Sequence, residues 1–319
     1  MCTAISYCGK RHYFGRNLDL EYHYAEQVVV TPRNYPFIFC DGTSLHQHAA
    51  MIGMATVMDG YPLYYEATNE WGLSMAGLNF PGNAVYRTMQ SELHNVAPYE
   101  LITWLLCRCK TVAEAEVLLR KVNVCNIAFS EKLPPSPLHW LIADKDRSIV
   151  AEPRLDGLRI YENPVGVLTN NPAFPYHMQN LANYQNLTPG QAQNGFCPEG
   201  VTQYSNGMGA IGLPGDWSSG SRFVRGSFVK QYSVSQGDEI SQFFHILSSV
   251  SMPAGSVLVK GKPEITRYTC CCDTGSGIYY YTTYNNPRIT AVKMRSCPLD
   301  SGNLIAFDLR DAPDIRFEN

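Results

Sequence analysis

No stretch of this 319-residue chain approaches the roughly 18 to 20 consecutive apolar residues that a membrane-spanning helix requires. The opening MCTAISYCGKR has neither a basic leader nor an apolar h-region. No export signal is read there, and the expected compartment is the cytoplasm. Charge is also scarce: Asp, Glu, Lys and Arg make up 17% of residues and the formal net charge is −3. With no basic stripe, a nucleic-acid partner is not expected. Hydrophobic residues at 45% argue for a globular chain and against disorder. Internal repeats, low-complexity tracts and domain linkers are missing as well. Residues 1–319 therefore read as one domain, large enough to bury its core without disulfides.

Metal motifs are equally wanting. Neither C-x2-C pairs nor H-E-x-x-H occur, although the chain has 11 cysteines and 8 histidines. The CRC at Cys107 to Cys109 falls on a helical pattern, where two positions apart means two directions. The CCC at Cys270 to Cys272 falls on a strand pattern and alternates faces. Both read as packing, and the cysteines as mostly free, largely buried thiols in a reducing compartment. A thiol redox or metal-binding protein built on these clusters is the alternative from another functional class. The C-G-x-C-W context of papain-like proteases is absent, the histidines show no recognisable pairing, and HQH at 46–48 reads as a loop tip.

What is present is an ordered alternation of elements. CTAISYC and HYFGRNLDL form a hairpin, followed by strands QVVVTPR, AAMIGMATV, YPLYYEATN and GLSMAGLNF. PYELITWLLCR is expected as a helix with Pro98 in its first turn. A second helix is expected from Thr111 to Val122, with a T-x-x-E capping box through Glu114. Strands LHWLIADK, SIVAEPR, GLRIYEN and VGVLTNN follow, then a helix in FPYHMQNLANYQNL and a polar excursion from Thr188 to Gly209. Helices SRFVRGSFVKQYS and DEISQFFHILSSV precede four closing strands. This order fits two stacked sheets with a helical layer outside each, and neither a doubly wound parallel sheet nor an all-β chain.

Cys2 is the sharpest chemical feature. Removal of the initiator methionine is favoured before a small residue, so the mature chain is expected to start at Cys2, with a thiol and a free α-amine on one residue. An α-amine with a pKa of about 7.7 to 8.0 can take the thiol proton without a histidine. Arg16 and Asp19 lie on the other arm of the hairpin, where a guanidinium favours thiolate and a carboxylate can orient the amine. Asn79 and Asn170 end strands, where side-chain amides can donate to a developing oxyanion. Arg222 opens a helix, against the helix dipole. Apolar and aromatic residues gather in predicted loops and are candidates for an apolar ligand: Leu20, Tyr22, Tyr24, Met58, Tyr61, Tyr65, Phe129, Leu133 and Leu138.

Eight blocks in order, MCTA, FGRNLDLEY, NEWGLSMAGLNF, SPLHWLIAD, GVLTNNP, IGLPGDWSSGSRF, FFHILSSV and GIYYYTTY, resemble the choloylglycine hydrolase family of bile salt hydrolases and penicillin V acylases. The resemblance runs from residue 1 to about 295. It implies an α+β N-terminal nucleophile (Ntn) hydrolase fold: a four-layer αββα sandwich with two stacked, mainly antiparallel sheets between helical layers. Carried over by motif, Cys2 is the nucleophile, Arg16 and Asp19 flank it, Asn79 and Asn170 shape the oxyanion site, and Arg222 completes the cluster. It implies no metal or organic cofactor, a conjugated bile acid as substrate, and a homotetramer; no nucleic-acid or membrane partner is expected, on the charge and hydropathy already described. Asn rather than Tyr after GL at position 79 resembles the bile salt hydrolases, as do the loop after Tyr22 and the GMGAIGLPGD block. Penicillin V acylase or another N-acyl amidase of the family is the nearer alternative.

Overall fold

Strands whose two faces are both apolar must be covered on both sides, and that requirement builds this molecule. The computed structural model describes residues 1–235 and 237–319. One sheet takes strands β1 (Cys2–Cys8), β2 (His12–Leu20), β10 (Val167–Leu168), β11 (Ile265–Asp273), β12 (Ile278–Thr283) and β13 (Thr290–Lys293). The other takes β3 (Gln27–Thr31), β4 (Met51–Met58), β5 (Tyr61–Asn69), β6 (Ser74–Asn79), β7 (Leu138–Ala143), β8 (Ser148–Arg154), β9 (Gly157–Glu162) and β14 (Ile305–Asp308). Their orders are β10-β1-β2-β11-β12-β13 and β9-β8-β7-β6-β5-β4-β3-β14. Every pairing within the two is antiparallel.

Among the described residues, five α-helices flank the sheets: α1 (Leu101–Leu106), α2 (Val112–Leu119), α3 (Phe174–Asn180), α4 (Ser219–Gln231) and α5 (Glu239–Ser248). Alternation along the strands sorts the side chains into two apolar clusters. Val28, Ile52, Met54, Leu78 and Leu141 face the six-stranded sheet, and that cluster continues through it to Phe223 of α4 and Phe243 and Ile246 of α5. Val29, Met51, Met75, Trp140 and Ile142 face outward onto Leu101 and Leu105 of α1 and Val112 and Leu119 of α2. The layers run α1/α2, eight strands, six strands, α4/α5, which is the expected αββα sandwich. Where β2 pairs with β11, a side chain at Gly15 would place its Cβ 1.9 Å from the Cys270 carbonyl oxygen, so glycine is required there for close approach.

Some boundaries differ from the sequence expectation. Helix α1 starts at Leu101, and Pro98 lies in the turn before it. Glu100 holds that turn by accepting from Ala97 N (2.9 Å) and Cys40 N (3.0 Å). Helix α2 keeps its Thr111 cap but ends at Leu119, because Val122–Val124 leaves to pair in parallel with His94–Val96. VGVLTNN contributes only Val167–Leu168 as strand. His48 is no loop tip: it is buried, bonded to Ala49 O and Tyr35 O at 2.8 Å each.

Candidate active site

The hairpin register decides where the thiol goes. Cys2 pairs with Leu18 and Ala4 with Arg16, so all four side chains share one face of the six-stranded sheet. Cys2, Arg16 and Leu18 line a cleft of about 270 Å3, and Asn79, at the end of β6, lines it as well. Arg16 is fully buried and crosses to the other sheet, donating through Nη1 to Gly77 O (2.6 Å) and Tyr65 O (3.1 Å). Its Nε lies 3.8 Å from the Glu66 carboxylate, while Nη2 has no partner among the described residues. Burial works against the guanidinium charge, but the negative groups around it, Glu66 among them, push its pKa up.

The main chain of Cys2 is held from the other side. Its nitrogen donates to Asn170 Oδ1 at 2.9 Å, and its carbonyl accepts from Arg222 Nη1 at 2.5 Å. Arg222 Nη2 also donates to Asn170 Oδ1 (2.7 Å), and Asn170 Nδ2 donates to Asn79 O (2.8 Å). These partners fix the amide: the side facing two N–H donors must be oxygen, and the side facing a carbonyl must be nitrogen. Nδ2 carries two hydrogens, so one is left after Asn79 O is satisfied. Arg222 lies in the first turn of α4, its Nε bonded to Trp217 O (3.0 Å) and Nη1 also to Thr3 Oγ1 (2.6 Å). Those acceptors offset the unfavourable dipole at that end of the helix, although burial lowers its pKa.

Asp19 does not line the cleft. It sits buried beside the first residue, where Met1 N donates to Asp19 O (2.7 Å) and Asp19 N donates to Met1 O (3.0 Å). Its Oδ1 accepts from Thr266 Oγ1 at 2.6 Å, and Oδ2 has no partner among the described residues. Burial raises the Asp19 pKa, against the pull of Arg222 and the Met1 ammonium. Met1 also pairs with the buried Glu264, yet burial lowers the pKa of its ammonium despite the attraction of Asp19.

Of the nine apolar candidates, Leu20, Tyr24, Met58, Tyr65, Phe129, Leu133 and Leu138 line the cleft. Tyr22 and Tyr61 do not. Tyr22 is turned to solvent under the Lys262 ammonium, and Tyr61 stands behind the wall, bonded to Thr103 Oγ1 (2.8 Å) and packed edge-on against Tyr99. Tyr99 and Ile102 also line the cleft, although their sequence pattern is that of ordinary core residues. Among the described residues no three His, Cys, Asp or Glu side chains converge as a metal would need.

Two antiparallel sheets stacked between helical layers, with a thiol at the start of a central strand, define the Ntn-hydrolase fold. The chain belongs to the choloylglycine hydrolase family: the family model for "Linear amide C-N hydrolases, choloylglycine hydrolase family" matches residues 2–307. It is 50% identical over 315 residues to a bile salt hydrolase/transferase of Lactiplantibacillus plantarum, covering 97% of each chain. It is 35% identical to the bile salt hydrolase/transferase of Clostridium perfringens, covering 100% of each. A crystal structure of a conjugated bile acid hydrolase variant from Clostridium perfringens superposes with a TM-score of 0.94 over 100% of both chains at 34% identity. Penicillin V acylase from Agrobacterium tumefaciens shares the fold, with a TM-score of 0.77 at 19% identity over 96% of this chain and 91% of its own.

Proposed function

We propose that this chain, acting as one domain of residues 1–319, is a bile salt hydrolase that cleaves the amide of glycine- or taurine-conjugated bile acids. The observation that carries the reading is Cys2, at an apolar-walled cleft, with its nitrogen on Asn170 Oδ1 and with Arg16 and Asn79 beside it. After loss of Met1, the Cys2 nitrogen is an α-amine. The sulfur attacks the amide carbon while its proton passes to that amine, and the carbonyl electrons move to oxygen. The Asn79 side-chain amide and the remaining Asn170 Nδ2 hydrogen stabilise the oxyanion. As the C–N bond breaks, the α-amine returns the proton to the departing glycine or taurine. Water then cleaves the thioester, releasing free bile acid and restoring the thiol. Arg16 faces the sulfur, Asp19 orients the amine, and Arg222 fixes Asn170 Oδ1 (2.7 Å) and so the acceptor that holds the amine.

The steroid is held by burial against Leu20, Met58, Phe129, Leu133 and Leu138. Sheltering about 200 Å2 of apolar area contributes about 5 kcal/mol before ordering costs. No helix among the described residues is long and apolar enough to cross a membrane. The proposed compartment is the cytoplasm, and the proposed assembly, extending the family resemblance, is a homotetramer. Release of glycine and taurine from glycocholate and taurocholate, beside penicillin V turnover, tests the function. Cys2→Ser is expected to reduce release by at least about 10³-fold. Near wild-type release by that variant, Met1 retained in active enzyme, or kcat/KM higher for penicillin V than for both bile salts would each sink the proposal.

A further inference from the structure

Two buried histidines lie just behind the cleft, in a place that their isolated positions in the sequence did not announce. His139, on β7, and His177, on α3, are both fully buried. His139 Nε2 is 2.9 Å from Thr169 O, and His177 Nε2 is 2.8 Å from Asn170 O, the next carbonyl along. A carbonyl only accepts, so each Nε2 carries a hydrogen. The rings are spoken for as well. His139 stacks on Phe80 at 4.3 Å and 5°, and His177 stacks on Phe223 at 4.8 Å and 25°. Phe80 directly follows Asn79, and Phe223 directly follows Arg222.

Each imidazole therefore joins one site-bearing segment to the Thr169–Asn170 backbone, through a hydrogen bond on its edge and a stacked ring on its face. Glu152 links the two. Its Oε1 meets His139 Nδ1 at 3.3 Å and accepts from Phe174 N at 2.8 Å, at the start of the helix that carries His177. Neither histidine lines the cleft.

We infer that His139 and His177 are positioning residues for the amide-cleaving site, setting the place of Asn170 relative to Asn79 and Arg222 and, through Asn170 Oδ1, the place of the Cys2 nitrogen. The inference rests on the function proposed above. A displacement of about 1 Å at such a site costs on the order of 100-fold in rate, so a loosened Asn170 backbone should appear in kcat.

The test uses full-length protein with Met1 removed, as wild type, His139→Phe, His139→Gln, His177→Phe and His177→Gln, each assayed well below its melting temperature. Glutamine can keep an N–H near the Nε2 position, whereas phenylalanine keeps only a ring. Glycine release from glycocholate should show kcat lowered about 10- to 100-fold in the phenylalanine variants with KM within about twofold. The glutamine variants should recover to within about threefold of wild type. Phenylalanine variants that keep kcat within about threefold, or glutamine variants that give no recovery, overturn the inference.

Alkylation of Cys2 by iodoacetamide, followed by mass spectrometry of its peptide, needs no substrate and should slow in the phenylalanine variants. If wild type cleaves no conjugate while that slowing is seen, the proposed function fails and the positioning role stands. If the phenylalanine variants do not fold, Phe80→Leu and Phe223→Leu remove the stacking and leave both hydrogen bonds. They carry the same expected kcat loss, and unchanged kcat there overturns the inference.

Discussion

Exchanging Asn170 for aspartate changes one atom of the side chain and inverts one hydrogen bond. The oxygen that accepts from Cys2 N at 2.9 Å and from Arg222 Nη2 at 2.7 Å is kept. The nitrogen that donates to Asn79 O at 2.8 Å becomes an acceptor facing an acceptor, and the second hydrogen of Nδ2, the one proposed for the oxyanion, is lost. Losing one oxyanion donor typically costs about 10²- to 10³-fold in kcat, or about 2.7 to 4 kcal/mol of transition-state stabilisation. Stability should change far less. The lost bond to Asn79 O is worth about 1 kcal/mol net, and a charge-assisted bond to Arg222 works in the opposite direction. In Asn170→Asp, stopped-flow or ninhydrin measurement of glycine release should therefore show a kcat loss of about 10² or more with KM little changed. Urea unfolding should move by no more than about 1 kcal/mol. A folded variant with kcat within about threefold of wild type would refute the assignment of the Asn170 amide to the oxyanion.

His12 supplies a test of pH-linked stability. It is buried between Ser6 Oγ and Thr274 Oγ1, at 2.9 Å each, and burial lowers its pKa from 6.5 to about 4. The unfolded chain takes up the proton first, so stability is lost as pH falls from about 6.5 to about 4, by about 3 kcal/mol at about 1.4 kcal/mol per pH unit. In His12→Gln that part of the dependence should vanish from urea midpoints measured across the window, and equal slopes in both proteins would contradict it. The proposed tetramer would have to cover exposed groups such as Phe196 and Tyr204 on the excursion after α3, which are 96% and 85% exposed. Light scattering should give four times 35.7 kDa, and a monomer mass at micromolar concentration would end that reading.

The layers of this fold were legible because β-strands and helices were written in their own periods. QVVVT and LHWLIA put apolar residues on both faces, which only a sheet covered on both sides can satisfy, and two runs of helices supplied the covers. The thiol and Arg16 were legible for a related reason. A hairpin of known ends sets its own register, so Cys2 opposite Leu18 puts Arg16 diagonally beside it before any tertiary contact is considered. Helix ends were less legible, since Val122 is as apolar in a strand as on a helix face, and only its pairing with His94 decides between them. Least legible were the groups that act through a backbone carbonyl. Nothing in LHWLIA or FPYHMQN shows that two imidazoles 38 residues apart, at 139 and 177, will grip adjacent carbonyls. A hydrogen bond to main chain imposes no spacing on the sequence, whereas a nucleophile at a chain end does. For that reason the proposed attacking atom could be singled out in the sequence, while the residues proposed to hold its surroundings in place emerge only once the two sheets have closed over them.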